Sequence, residues 1–486
     1  MITFVVSLVA LILGYFLYGR FVERIFGPDN RPTPAVSKAD GVDFIVLPGW
    51  KIFMIQFLNI AGTGPIFGAI MGAKFGPVAY LWIVFGCIFA GATHDYLSGM
   101  LSMRHGGANL PEIIGRYLGN ATKQVMLVFS VFLLIMVGTV FVFSPAKILG
   151  GMWEPQFVVD SCGQYVFWII IIFIYYLIAT MMPIDKIIGK VYPLFAFSLL
   201  FMAGALMVML FVKMPDIPEL WESGLGNLGS GAFGSTQSVF PCLFITIACG
   251  AISGFHATQS PLMARCIRNE KMGRPVFYGS MITEGLVALI WAAVASWFFF
   301  DGGAAEVGSD LSAAAPAVVT KVSKGWLGVM GGILAIIGVV AAPITSGDTA
   351  FRSARLIIAD FLHLEQKDIH KRLAIAVPLF AGSALLLWYN IADANGFNTI
   401  WRYFGWSNQT LAAFMLWTAT VYLVRKKGGL NYLITLLPAL FMTAVCVSFI
   451  MVDKTGFRLP TSLAPIIGLF TFVISALFFY IWKKRN

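Results

Sequence analysis

Thirteen predominantly apolar stretches follow one another along nearly the whole chain, at 2–20, 51–73, 78–100, 124–147, 165–182, 191–212, 239–260, 276–300, 326–347, 370–390, 407–424, 430–452 and 461–482. Each is close to the ~20 residues a helix needs to cross the hydrocarbon of a bilayer. Inside lipid the backbone has no water to pair with, so only helices and closed barrels can span it. The stretches lack the two-residue alternation of barrel strands, which leaves helices. Of the 486 residues, 59% are hydrophobic and 12% charged, against about 25% charged in a soluble domain. Lipid must therefore cover this surface. The fold class expected is an all-α polytopic membrane protein, a single transmembrane domain over 1–486.

The loops orient it. The net charge is +10, yet the basic residues lie in short loops rather than in one patch, which excludes a nucleic-acid partner and fits a membrane protein. Taking the loops alternately, 25 of the 33 Lys and Arg fall on one side of the membrane and 8 on the other. The basic side is cytoplasmic. The N-terminus is thus expected outside and Lys483, Lys484 and Arg485 inside, in a bacterial-type plasma (inner) membrane. Ile2 to Gly19 has no basic residue before it and is followed by Arg20 and Arg24, the pattern of a retained span. Cys87, Cys242, Cys249 and Cys446 lie in apolar stretches, and Cys162 and Cys266 in loops; without a C-x-x-C no metal site, redox pair or disulfide framework is expected. There is no G-x-x-x-x-G-K-[ST], H-E-x-x-H or G-x-S-x-G. No catalytic residues and no cofactor are expected.

Two of the stretches cannot be continuous helices. The second carries Ala61, Gly62, Thr63, Gly64 and Pro65 at its middle. Glycine costs about 1 kcal/mol and proline about 3 in a helix interior, and Pro65 also removes an amide donor. Broken backbone at mid-membrane is tolerated where protein, water or a ligand satisfies it. Gly64, Gly68, Gly72 and Gly76 also read as a packing ridge for a neighbouring helix, which leaves Gly62 and Pro65 unexplained. The seventh stretch repeats the theme with Gly250, Ser253, Gly254, Phe255 and His256, flanked by Gln259. The second break lies five spans after the first, an odd number, so the two run in opposite directions. This predicts an inverted pair of five-helix repeats, 51–212 and 239–424, preceded by an N-terminal helix and loop (1–50) and followed by two helices (430–482). Discontinuous helices in inverted repeats hold the site of many transporters.

Ionisable groups within a span default to functional candidates. His94 beside Asp95 could pass a proton, or Asp95 could pair with a helix end. Glu284 could line a proton path or meet a basic partner. Thr345, Ser346 and Asp348 offer the oxygens a hard ion such as Na⁺ prefers, while Asp348 and Arg352, spaced i, i+4, also suit a helical salt bridge.

These motifs resemble the carbon starvation protein family (CstA), in its shorter form. The resemblance covers most of residues 40–365. It is carried by Asp40-Gly41-Val42-Asp43, Ile60-Ala61-Gly62 through Gly64-Pro65, Gly91-Ala92-Thr93-His94-Asp95, Ser102-Met103-Arg104, Cys249 to His256, Glu284-Gly285, and Asp348-Thr349 with Arg352. It implies a LeuT-type ion-coupled transporter that takes up peptides or pyruvate, with H⁺ or Na⁺ as coupling ion. Longer members carry His-His where this chain has Ile55 and Gln56, and Ser-Ser-Gly-Thr-Thr where it has Gln259-Ser260-Pro261-Leu262. The expectation is a symporter of a small peptide or carboxylate. Ala61 to Pro65, Ser253 to His256 and Gln259 would hold substrate; His94, Asp95, Thr345, Ser346 and Asp348 would couple the ion. A channel and a nutrient receptor without transport are the alternatives.

Overall fold

The computed structural model describes residues 1–41, 43–182, 188–235, 237–364, 366, 368–393 and 396–485, without the side chains of 188–191. Val42, in the first quoted motif, lies outside them. Helices dominate, and all thirteen apolar stretches coincide with helical segments. In chain order these are α1 (Ile2–Phe26), α2 (Gly49–Ile60), α3 (Gly64–Ala73), α4 (Val78–Arg104), α5 (Asn120–Gly150), α6 (Gln156–Cys162), α7 (Val166–Met181) and α8 (Tyr192–Lys213). Then follow the short α9 (Phe244–Thr246) and α10 (Gly254–Ala264). The rest are α11 (Glu270–Phe300), α12 (Ala315–Phe361), α13 (Ile369–Ala392), α14 (Gly396–Lys427), α15 (Leu433–Val452) and α16 (Thr461–Arg485).

Among the described residues nine helices are long and apolar enough to cross a membrane. The count reaches eleven if α2–α3, bent by 53°, and α6–α7, bent by 92°, are each one span. The two remaining stretches are the seventh, divided between α9 and α10, and the eleventh, inside α14, whose Arg402, Asn408 and Gln409 dilute its hydropathy.

Sequence boundaries failed most at α12. The ninth stretch was expected to end at 347, but the helix runs on to Phe361 after a break at Gly328, whose φ is 65°. Hydropathy falls at Thr345 to Arg352 because those residues are polar. The helix continues because they are buried, and it packs there on α2, α5, α7 and α8. α4 and α11 are the most enclosed of the long helices and form the centre of the bundle with α2, α3 and α10. α16 lies at the periphery, with Leu469, Phe470 and Phe478 turned outward to lipid.

Candidate functional site

Both expected breaks are present. α2 stops at Ile60 because Ala61 takes φ −81°, ψ 60°. Gly62 and Thr63 bend, and the chain re-enters as a π turn over Gly64–Gly68 with Pro65 in its first turn, where its missing N–H costs nothing. The second break is longer. Residues 247–253 are unwound, and the helix resumes at Gly254 after an extended Ser253.

The two breaks pack on each other. A Cβ at Gly64 would stand 2.3 Å from the Cys249 Sγ, and one at Gly68 would stand 2.9 Å from the Thr246 carbonyl. The glycine ridge is therefore the surface on which the second break sits, and only backbone without a side chain can come this near. Gly76 does not belong to it; it turns the chain with φ 89° and faces Leu228. Gly62 faces the Phe141 ring, with the ring edge 2.5 Å from its would-be Cβ. A carboxylate reaching Gly62 and Gly64 would thus have to displace Phe141 and Cys249.

Four fully buried ionisable residues meet beside the second break. His94 and Asp95 come from α4, His256 from the first turn of α10, and Glu284 from α11. The His94 Nδ1 lies 2.8 Å from Asp95 Oδ1, and the His256 Nδ1 lies 2.8 Å from Asp95 Oδ2. One carboxylate thus accepts from two imidazoles, which assigns the Nδ1–H tautomer to each ring when neutral. The His256 Nε2 is 3.4 Å from Glu284 Oε2, outside hydrogen-bond geometry. His256, expected at the substrate, and Asp95, expected at the ion, therefore share one network. The Ser98 hydroxyl donates to Ser260 Oγ and the Ser260 hydroxyl to the His256 carbonyl, both at 3.0 Å, which fastens α4 to α10.

Asn408 on α14 is a site residue with no signal in the amino-acid pattern. Its Oδ1 accepts from the Phe255 N–H at 2.7 Å and from the Ser253 hydroxyl at 3.0 Å. It therefore caps the half-helix α10 from a distant part of the chain, using one of the orphan donors every helix start exposes. Gln56, Asn59 and Thr63 are fully buried at and just before the first break with side-chain polar atoms lacking a protein partner, and so is the Oε1 of Gln259.

The expected ion ligands lie on α12. The Thr345 hydroxyl donates to its own helix, at Ala342 O (2.8 Å). The Ser346 hydroxyl donates to Leu58 O at 2.9 Å, just before the first break. Asp348 accepts from the hydroxyls of Tyr175, at 3.1 Å, and Tyr192. It does not pair with Arg352. Arg352 instead donates to Ala179 O (2.8 Å) and Met182 O (2.7 Å), capping the carbonyl end of α7. The tyrosines could not be foreseen, because α7 and α8 read as plain apolar spans.

A cavity of about 770 Å³ opens beyond the breaks, lined among others by Lys74, Arg402, Asp453, Lys454 and Arg458. Asp453 is paired with Arg402 at 2.7 Å, so the wall is left basic. The cavity shares Ile245, Thr246 and Trp401 with a pocket of only about 10 Å³ that touches Gly64 and Cys249.

A family model described as carbon starvation protein CstA matches residues 1–159, 146–330 and 302–448. An uncharacterised membrane protein of Haemophilus influenzae is 45% identical over 340 residues, covering 62% of this chain and 91% of its own. The peptide transporter CstA of Campylobacter jejuni is 29% identical over 88% of this chain and 77% of its own. That of Escherichia coli is 24% identical over 90% and 79%. Among solved structures, MhsT in complex with L-phenylalanine aligns with a TM-score of 0.58 at 12% identity, covering 87% of this chain and 97% of that one. The manganese transporter of Eremococcus coleocola aligns at 0.55 and 11%, covering 92% and 99%. At such identities the likeness is one of fold, and the fold is that of LeuT-type transporters. Matched by the family model over nearly its whole length, this multi-pass inner-membrane chain belongs to the carbon starvation protein CstA family.

Proposed function

We propose that the protein is a secondary active importer of a small carboxylate-bearing nutrient, a short peptide or pyruvate, that works by alternating access and is driven by an ion gradient. The observation that carries this reading is the meeting of two mid-helix breaks, Gly64 against Cys249, among buried polar groups that lack protein partners. Unwound segments supply backbone donors and acceptors at membrane depth, which is how transporters of this architecture recognise solutes. Thirteen spans, an outside N-terminus, a cytoplasmic C-terminus and the paired repeats 51–212 and 239–424 complete the reading.

Asp95, held between His94 and His256, is the group proposed to take up and release a proton. Thr345, Ser346 and the Leu58 carbonyl form the alternative oxygen site for Na⁺. The basic cavity narrowing onto Gly64 and Cys249 supports a one-sided, gated path. A channel would need a continuous one, and a receptor would move nothing.

Reconstituted protein tests this. Labelled dipeptides and pyruvate are offered to proteoliposomes under an imposed proton or Na⁺ gradient. Saturable accumulation against the substrate gradient is expected with one of the two ions, and an amidated substrate should compete poorly. Flux that neither saturates nor follows an ion gradient would make it a channel, and binding without uptake a receptor.

A further inference from the structure

The Cys249 thiol, the His256 Nε2 and a Glu284 carboxylate oxygen all lie within 4.8 Å of one another, and all three residues are buried. We propose that they form a binding site for a divalent transition-metal ion of the Zn²⁺ class. Sulfur, imidazole nitrogen and carboxylate oxygen are the donor set Zn²⁺ takes in proteins. Ligand bonds of about 2.0–2.3 Å in a tetrahedron put donor atoms about 3.3–3.8 Å apart. The His256 Nε2 and Glu284 Oε2, 3.4 Å apart, already meet that spacing. The thiol, within 4.8 Å of the other two donors, has to close by at most about 1.3 Å onto the sulfur-to-nitrogen or sulfur-to-oxygen spacing of about 3.5 Å, and it sits on the unwound segment 247–253.

Two independent features point to a ligand here. The first is satisfaction. The His256 Nε2 and both Glu284 oxygens are buried without any hydrogen-bond partner, a costly arrangement unless something else engages them. The second is orientation. His256 gives its Nδ1–H to Asp95, which is itself braced by His94. A carboxylate behind a histidine fixes the tautomer that leaves Nε2 free, and it is the usual outer support of a metal-bound imidazole. Asp95 is thus a positioning residue for this site. Three protein ligands leave a fourth position open, the arrangement of metal sites that bind a further ligand. A small pocket of about 10 Å³ borders Cys249 on the side of the basic cavity, with which it shares Ile245, Thr246 and Trp401. Binding displaces the thiol proton from Cys249, since thiolate is the ligand. No spacing in the sequence signals the site, because its ligands come from an unwound turn, the next helix start and a separate helix.

The test uses full-length protein in detergent, carrying Cys162→Ser to remove the one exposed thiol, stripped with a chelator and titrated with Co²⁺ and Zn²⁺. One ion per chain is expected, with visible bands of four-coordinate Co²⁺ and a near-ultraviolet thiolate-to-Co²⁺ band. Cys249→Ser should remove the thiolate band, while Cys446→Ser should leave it. Glu284→Gln should weaken binding at least tenfold, and Asp95→Asn about 10–100-fold. The absence of a thiolate band in the parent protein overturns the proposal, even where the Cys249 variant does not fold. So does a Cys249→Ser spectrum identical to that of the parent. No gradient or substrate enters the measurement, so its outcome is separate from that of the uptake assay.

Discussion

Asp95 and His256, 161 positions apart in the chain, share a fully buried contact of 2.8 Å that ties the polar heart of α4 to the half-helix following the second break. The contact puts a group that can titrate directly against a segment that has to move if the site opens and closes. We expect Asp95→Asn to abolish accumulation driven by an ion gradient while substrate exchange across the membrane stays measurable. Accumulation at the wild-type level would make Asp95 a purely structural partner of the histidines.

Asn408 makes a different prediction because it carries no charge. Asn408→Ala strips the cap from Phe255 N–H and Ser253, and losing an N-cap costs about 0.5–2 kcal/mol. Asn408→Asp keeps an accepting oxygen. Thermal denaturation in detergent should show the alanine variant melting earlier and the aspartate variant close to wild type. Equal melting of all three would show that the cap contributes nothing.

The seam between the breaks can be probed with one methyl group. Gly64→Ala drives a Cβ into Cys249 and should weaken substrate binding strongly. Gly72→Ala is no inert control, because its Cβ would stand 2.2 Å from Ile247. Gly204→Ala is suitable, since nothing lies within 4 Å of its would-be Cβ, and in a helix it should stabilise slightly, by at most about 1 kcal/mol. Equal effects of Gly64→Ala and Gly204→Ala on the dissociation constant would remove the seam from the binding site.

Orientation can be read with cysteine labelling in a cysteine-free background. Gly303, in the loop expected outside, is buried against Trp297, so the exposed neighbour Ala305 is the better target. Ala305→Cys should react with an impermeant maleimide from outside the cell, and Gly428→Cys only from the cytoplasmic side. Labelling of both from one side would undo the loop-charge assignment.

The basic cavity predicts a rate effect. Clefts lined by one sign of charge concentrate oppositely charged solutes and lose that advantage as salt rises. Lys74→Gln with Arg458→Gln should raise the KM for an anionic substrate several-fold at low ionic strength, with kcat little changed, and the gap to wild type should narrow at high salt. A gap independent of salt would mean that these side chains act by contact rather than by field.

Much of this was readable from the chain itself, and the reasons for the rest are specific. Apolar length located every long helix, and Gly62 with Pro65 located the first break, because glycine and proline act on their own backbone. The end of α12 was lost because polarity at Thr345 to Arg352 reads as a boundary, although burial carries the helix through it. His94, Asp95, His256 and Glu284 stood out as charges in lipid, yet nothing local shows that three separate helices bring them together. Asn408, Tyr175, Tyr192 and the part played by the Cys249 thiol were silent for another reason. A thiol, an amide or a phenol inside a span is unremarkable until the group it touches is known.

The glycine-to-thiol seam also limits how such a sequence can drift. Position 64 has no room for a side chain while position 249 has one, so neither site can change alone toward greater bulk. Tolerated changes should come in pairs, with a methyl gained at 64 matched by a thiol lost at 249. In a combinatorial library of the two positions, Gly64→Ala with Cys249→Gly should fold better than Gly64→Ala alone. Independent tolerance at the two positions would mean that the seam can be opened from one side, and that the segments are held together elsewhere.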